Sequence, residues 1–123
     1  MRFLLICLGG AAGTGARYLL STAATRAFGN FPFGTLAVNV LGSFLTAVIM
    51  TLALEHGRIS EDLRLVLTTG VLGGFTTYSA FNYETMRLAQ AGTVALAALN
   101  VGLTLFTCLG AGLLGLLAAR ALT

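Results

Sequence analysis

The chain has 123 residues, of which 57% are hydrophobic and only 9% are charged. This composition excludes an ordinary soluble domain and indicates an integral membrane protein. Seven arginines and four acidic residues give a net charge of +3. Because the arginines are spread singly along the chain, nucleic-acid binding has no support. The single histidine excludes a metal site built from several imidazoles.

Four hydrophobic segments predict four membrane-spanning helices, at about residues 3–28, 33–54, 62–86 and 93–120. Each segment is close to the ~20 residues that cross the hydrocarbon core as a helix. The polar connections between them are short, so residues 1–123 are predicted to form a single all-α membrane domain. Candidate N-caps are Ser60 for the third helix, where Glu61 and Asp62 suit the helix dipole, and Thr93 for the fourth.

The first predicted helix carries glycines and an arginine deep in its apolar sequence. Gly9 and Gly13 are four residues apart, the spacing that lets two helices approach closely. Arg17 lies roughly 21 Å along the helix from the start of the segment. Either it extends to the far membrane interface, or it faces the protein interior and is held by carbonyl groups. The sequence favours neither alternative.

One face of the second predicted helix is polar or small. Thr35, Asn39, Gly42 and Thr46 follow one another at helical spacing. Asn39 is notable because an amide without hydrogen-bond partners is costly inside a membrane. A hydrogen bond between helices is the common use of a lone membrane asparagine. A donor that lines an anion path is the other interpretation, favoured here because the fourth helix repeats the pattern.

The third predicted helix contains a stretch that is unfavourable for a continuous helix. It runs from Gly70 to Phe81 as G-V-L-G-G-F-T-T-Y-S-A-F. Glycine costs about 1 kcal/mol relative to alanine inside a helix, and hydroxyl side chains compete for backbone groups. In a bilayer, non-helical backbone must be buried in protein or line a water-filled cavity. The sequence therefore predicts a break here, of the kind at which transport proteins bind ions. Beyond it, Glu84 and Arg87 have the spacing of an interfacial ion pair.

The fourth predicted helix repeats the polar pattern of the second. Asn100, Thr104, Thr107 and Cys108 share one face. Two helices with donor-bearing faces, together with a broken third helix, indicate a narrow polar path. Neutral amides and hydroxyls can donate to an anion without a fixed charge that would trap it. The pattern therefore suits an anion better than a cation.

Three parts of the sequence, taken together, carry a family resemblance. They are Gly9, Gly10, Gly13, Arg17 and Tyr18 in the first helix, G-T-L-A-V-N-V-L-G at residues 34–42, and the third-helix stretch given above. They resemble the small bacterial fluoride channels of the Fluc (CrcB) family, and the likeness covers essentially the whole chain. It implies a multi-pass protein of the bacterial inner membrane that is not an enzyme. Such a protein would be a passive, selective channel that exports cytoplasmic fluoride and so relieves fluoride toxicity.

The resemblance also implies an assembly and a bound cation. Proteins of this family are antiparallel, dual-topology homodimers of four-helix subunits, with two fluoride pores and a central structural sodium ion. By this likeness, backbone carbonyls of Gly73 and Thr76 from both subunits would hold the sodium, which suits the partial negative charge at a helix C-terminus. The two breaks would meet at the two-fold axis, with the glycine faces packed between subunits.

The same resemblance assigns the residues of the fluoride pore. Tyr78 and Phe81 match the family's two pore phenylalanines, whose ring edges are electropositive, and Asn39 matches its pore asparagine. The other implied pore positions are Thr77, Ser79, Asn100, Thr104 and Cys108. Tyr78 departs from the family pattern by adding a hydroxyl, and Cys108 by replacing a hydroxyl with a weak donor. Arg17 and Glu84 would have structural or vestibule roles.

A small multidrug-type cation exporter is the alternative of similar size and architecture. Such proteins need a membrane-embedded carboxylate in the first helix, and usually tryptophan, but here the first helix has no acid and the chain has no tryptophan. A non-transporting assembly subunit would explain the glycines but not the aligned donors. An enzyme is the weakest alternative, because Glu84 and His56, the plausible acid–base residues, lie on different segments.

Overall fold

Helices joined by short connections make up the chain in a computed structural model, which describes residues 1–122. Four helices are continuous: α1 (Arg2–Phe28), α2 (Phe33–Leu54), α4 (Tyr78–Gln90) and α5 (Val94–Ala121). Between α2 and α4 lies α3, residues 61–75. It begins as an α-helix at Glu61–Leu65, continues as a π-helix at Val66–Leu72 and ends in one α-helical turn at Gly73–Phe75. No strand occurs in the described residues, and the predicted all-α class is confirmed.

Three of these helices, α1, α2 and α5, are long and apolar enough to cross a membrane. The 13 residues of α4 extend only about 20 Å, less than the ~30 Å of the hydrocarbon core. The predicted third segment, residues 62–86, is divided between α3 and α4, and the break predicted within Gly70–Phe81 is confirmed at Thr76 and Thr77. Moreover, α4 continues to Gln90, and the chain turns only at Gly92, which has a positive φ of 80°.

Glycines bring the backbones of α1 and α3 into direct contact. A Cβ atom added at Gly13 would overlap the carbonyl oxygen of Val71, and one added at Gly74 would overlap that of Gly10. At Gly70 the nearest atom would be the carbonyl oxygen of Ile6, only 2.8 Å away. These positions serve contacts within the chain, so the expectation that the glycine faces pack between subunits is wrong for them.

The central helix of the fold is α2, which packs against α1, α3 and α5. Gly42 makes room for the methyl group of Thr76, and Gly115 of α5 lies against the carbonyl oxygen of Phe44. The buried apolar core of the described chain is small and centres on Val38, Leu72 and Phe75. Most other large apolar side chains point outwards, as expected for helices surrounded by lipid or by a second subunit.

The helix ends test the two predicted caps. Ser60 caps α3, because its side chain accepts a hydrogen bond from the Leu63 N–H at 3.3 Å. Thr93 is the N-cap residue of α5, but its side chain makes no capping bond; its hydroxyl donates to the Leu88 carbonyl at 2.6 Å and so closes the end of α4. The cap predicted at Ser60 is confirmed, and at Thr93 the predicted N-cap position is confirmed without a side-chain bond.

Ion pairs join helix ends on one side of the bundle. Arg2 pairs with Asp62 and, at 3.4 Å, with Glu61. Arg120 pairs with Glu55 at 2.7 Å, and its hydrogen bonds lower the pKa of the Glu55 carboxyl below the usual range. The pairs connect the start of α1 to the start of α3, and the end of α5 to the end of α2.

Candidate functional site

The break between α3 and α4 consists of two residues with extended backbone. Thr76 has φ −85° and ψ 159°, and Thr77 has φ −155° and ψ 118°. The side chain of Asn39 on α2 replaces the missing helical partners of Thr77. Its Oδ1 accepts from the Thr77 N–H at 2.8 Å, and its Nδ2 donates to the Thr77 carbonyl at 2.9 Å. The non-helical backbone is thereby satisfied by protein, as membrane depth requires.

Two carbonyl groups are released at this break. In a continuous helix the N–H of Thr77 would bond the Gly73 carbonyl, and the N–H of Ala80 would bond the Thr76 carbonyl. The first N–H donates to Asn39 instead, and the second donates to the Thr77 hydroxyl at 3.2 Å. The carbonyls of Gly73 and Thr76 are therefore free of these helical bonds at the C-terminal end of α3, where the helix dipole favours a cation.

A groove of about 690 Å³ runs beside the break, between α2 and α5. Its lining includes donor-bearing and aromatic side chains from three parts of the fold. These are Asn39, Ser43 and Thr46 of α2, Thr76, Thr77, Tyr78 and Phe81 at the break and in α4, and Thr104 and Cys108 of α5. None of the described residues that line the groove carries a charge.

Two aromatic rings stand at the α4 side of this groove. Their centroids are 5.6 Å apart, and the planes of Tyr78 and Phe81 are inclined by 57°. Phe81 is half-buried, whereas Tyr78 is 80% exposed in the single chain. Both rings line the groove.

The structure places most of the predicted pore residues on this groove but not all of them. Asn39, Thr77, Tyr78, Phe81 and Thr104 line it together with Cys108.

The predicted pore residues Ser79 and Asn100 do not line the groove. Ser79 is exposed, and its hydroxyl lies 3.3 Å from that of Thr77. Asn100 is only 2% exposed and donates through Nδ2 to the Thr85 hydroxyl at 2.9 Å.

The charged residues singled out in the sequence lie away from the groove. Glu84 accepts a 2.8 Å hydrogen bond from the Thr35 hydroxyl through Oε1, rather than pairing with Arg87. Its Oε2 is buried and has no hydrogen-bond partner within the described chain. Arg17 is half-buried and makes neither a hydrogen bond nor an ion pair with the described residues.

Sequence reasoning missed two polar residues of this region. Ser43 lines the groove, and its hydroxyl donates to the Asn39 carbonyl at 2.7 Å. Thr85 is 6% exposed and contacts Asn100. Thr85 follows Phe81 by four residues, so helical spacing alone places both on one face of α4. Helical spacing could therefore have identified Thr85.

These features define a helical multi-pass membrane protein, with a groove that combines neutral donors and aromatic rings beside a broken helix. The chain belongs to the CrcB family, because the family model described as "CrcB-like protein, Camphor Resistance (CrcB)" matches residues 4–116. The family resemblance found in the sequence is thus confirmed.

Relatives of similar length have the name "Fluoride-specific ion channel FluC". The one from Anaeromyxobacter dehalogenans is 56% identical over 120 residues, which cover 97% of this chain and 95% of the relative. The one from Sorangium cellulosum is 54% identical over 122 residues, or 98% and 96% of the two chains. The one from Geobacter sulfurreducens is 48% identical over 120 residues, or 97% of each chain.

Proposed function

We propose that this protein is a passive channel selective for fluoride, which lets the ion leave the bacterial cytoplasm across the inner membrane. The observation that carries the proposal is the uncharged, donor-lined groove beside the break. Fluoride is small and strongly hydrated, so a path must replace its water with closely spaced donors. The name of the relatives supports the same ion.

Asn39 has a dual role in this proposal. Its amide nitrogen has two hydrogens, of which one is used on the Thr77 carbonyl. The second can donate into the groove while the first holds the break in place. The hydroxyls of Thr77 and Thr104 and the ring edges of Tyr78 and Phe81 supply further positive groups along the path. Asn39 can therefore form a structural hydrogen bond with another part of the chain and also act as a donor that lines the anion path.

Anion selectivity is the first expected result. Liposomes that contain the purified protein are expected to release fluoride as soon as a potassium ionophore dissipates the membrane potential. A fluoride electrode outside the liposomes measures this release. Chloride release from matched liposomes is expected to stay at the level of protein-free vesicles. Equal fluxes of the two halides, or fluoride release that requires a proton gradient, would contradict the proposal.

A structural sodium ion fits the released carbonyls. Oxygen ligands suit a hard cation, and the carbonyls of Gly73 and Thr76 lie at the end of α3, where the dipole favours positive charge. Gly73 is exposed in the single chain, and an added Cβ atom would meet only the Thr68 carbonyl oxygen, at 3.5 Å. We propose that a second subunit approaches this glycine and completes the site. The ion would connect the two breaks without taking part in fluoride movement.

Substitution of Gly73 tests the proposed contact. Gly73→Leu is expected to reduce the dimer to monomer on size exclusion in detergent, because the bulky side chain holds the two breaks apart. Gly15→Leu is the matched control, since Gly15 has open space around it. Purification with N-methyl-D-glucamine in place of sodium is expected to lower the Tm of the wild-type dimer. An unchanged dimer in both experiments would contradict the sodium site.

The proposed dimer is antiparallel and therefore requires insertion in both orientations. Arg2, Arg58, Arg64 and Arg120 are on the side of the termini, against Arg26 and Arg87 on the other. This difference is small by the rule that cytoplasmic segments are richer in arginine.

A C-terminal reporter is expected to be detected on both sides of the membrane. Two or three arginines added at one end are expected to lower activity, because one orientation then lacks partners. A single orientation for all active wild-type copies would contradict the antiparallel dimer.

The alternative of a small multidrug-type cation exporter is not favoured. Proton-coupled export of a cation needs a carboxylate in the binding path, and the described residues that line the groove include none. Glu84 is bonded to Thr35 outside this lining. No specific observation supports a drug-binding site.

A further inference from the structure

Polar contacts hold the short helix α4 from two sides. Towards α2, Asn39 bonds the backbone of Thr77, just before α4, and Thr35 bonds Glu84. Towards α5, Asn100 bonds Thr85. The first two contacts join α4 to one wall of the groove. The third joins α4 to the other wall, one helical turn from Phe81.

The Asn100–Thr85 contact continues to the backbone of Phe81. The Thr85 hydroxyl accepts from Asn100 Nδ2 at 2.9 Å and donates to the Phe81 carbonyl at 2.7 Å. Both side chains are buried, with 2% of Asn100 and 6% of Thr85 exposed. Water cannot readily replace either bond at such burial, so the loss of one partner leaves the other unsatisfied.

The spacing along both helices connects this contact to the groove. Phe81 precedes Thr85 by four residues on α4, and Thr104 follows Asn100 by four residues on α5. Phe81 and Thr104 both line the groove. Thr85 and Asn100 do not line the groove, but the bond between them fixes the position of Phe81 relative to Thr104.

We propose that Thr85 and Asn100 are positioning residues that hold the Phe81 ring at the correct place in the groove. The proposal rests on the proposed fluoride function, because the ring's position matters for an anion that meets its edge. Neither residue contacts the ion. Asn100 thus contributes to conduction from outside the groove, through α4.

The first test compares buried threonines. Thr85→Val is expected to slow fluoride efflux about tenfold, because it removes the hydroxyl and leaves the shape nearly unchanged. Thr85→Ser keeps both bonds and is expected to restore the wild-type rate. Thr51→Val is the matched control: Thr51 is 5% exposed, and its hydroxyl donates to the Ala47 carbonyl at 2.8 Å without a bond to another helix in the described chain. Equal rates for Thr85→Val and Thr51→Val would overturn the proposal.

The second test asks whether the two residues act as a unit. Asn100→Leu is expected to slow efflux as Thr85→Val does, and the double variant is expected to be within about twofold of the slower single variant. Independent effects would multiply to about 100-fold in the double variant. That result would overturn the proposal, since the residues would then act separately.

The third test follows the ring directly and does not depend on conduction. With 4-fluorophenylalanine placed at position 81 alone, the protein-bound ¹⁹F resonance is expected to shift or broaden in Thr85→Val and Asn100→Leu. It is expected to be unchanged in Thr85→Ser and Thr51→Val. An unchanged resonance in Thr85→Val, or an equal change in Thr51→Val, would overturn the positioning role. Failure of the wild-type protein to pass fluoride would instead contradict the proposed function, while this resonance would still test the contact.

Discussion

Replacement of Phe81 by isoleucine is expected to slow fluoride efflux at least about tenfold while the dimer stays folded. Isoleucine is apolar and of broadly similar size, so packing in the half-buried site is largely kept. It has no electropositive ring edge to meet the anion. An aromatic contact contributes about 0.5–1.5 kcal/mol, and about 1.4 kcal/mol lost from the transition state for ion movement lowers the rate tenfold. The fluoride electrode is expected to show at least about tenfold slower release.

Two variants control for other effects of the Phe81 change. Phe106→Ile removes a ring from the outer surface of α5, where Phe106 is 73% exposed, and is expected to conduct normally. Tyr78→Phe removes a hydroxyl and keeps the ring, so it is expected to be nearly neutral. Normal efflux in Phe81→Ile, with the same elution volume as wild type, would show that the aromatic assignment is wrong.

Gly13→Ala is expected to destabilise the protein more than alanine at any other glycine of α1. The new Cβ atom would overlap the Val71 carbonyl oxygen and lie 3.0 Å from the Phe75 nitrogen. Both atoms belong to backbone and cannot move aside as a side chain would. Overpacking of this kind costs about 3 kcal/mol or more when the neighbours are rigid. The Tm in detergent is expected to fall, and the folded dimer peak to be reduced.

Gly15→Ala supplies the matched comparison on the same helix. No atom outside its own helix lies within 4 Å of the position that its Cβ would occupy. Alanine is favoured over glycine inside a helix by about 0.5–1 kcal/mol, so this variant is expected to be at least as stable as wild type. Equal Tm values for the two alanine variants would contradict the close contact between α1 and α3.

The break was predictable from the sequence, but its cause was not. Gly70, Gly73 and Gly74 suggested it, yet all three are helical in the structure. Gly70 and Gly74 instead allow α1 to approach. The extended residues are Thr76 and Thr77, which follow the glycines. What ends the helix there is Asn39, whose amide supplies the bonds that Thr77 loses. A partner from another helix cannot be deduced from the local sequence.

Helical periodicity predicted which residues share a donor-bearing face, but it could not predict which neighbouring helix contacts each turn of that face. On α5, Thr104 and Cys108 line the groove as expected for a common face. Asn100 is covered by α4. Thr107 is exposed, and its hydroxyl donates a hydrogen bond to the Leu103 carbonyl of its own helix. The position of α4 determines which turns of α5 it covers. The position of α4 depends in turn on the break at Thr76 and Thr77. The π-helix at Val66–Leu72 was similarly out of reach of periodicity, because its extra residue per turn has no sequence signature.

The contacts of α4 also constrain the order in which the protein is assembled during synthesis. With 13 residues, α4 cannot cross the bilayer by itself. Thr35 and Asn39 emerge from the ribosome before α4, whereas Asn100 emerges after it. When α4 leaves the ribosome, its hydrogen-bond partners on α2 have already been synthesised. Asn100, the partner of Thr85 on α5, has not. Final placement of α4 therefore waits for α5, whose 28 residues both cross the membrane and bring Asn100 to Thr85.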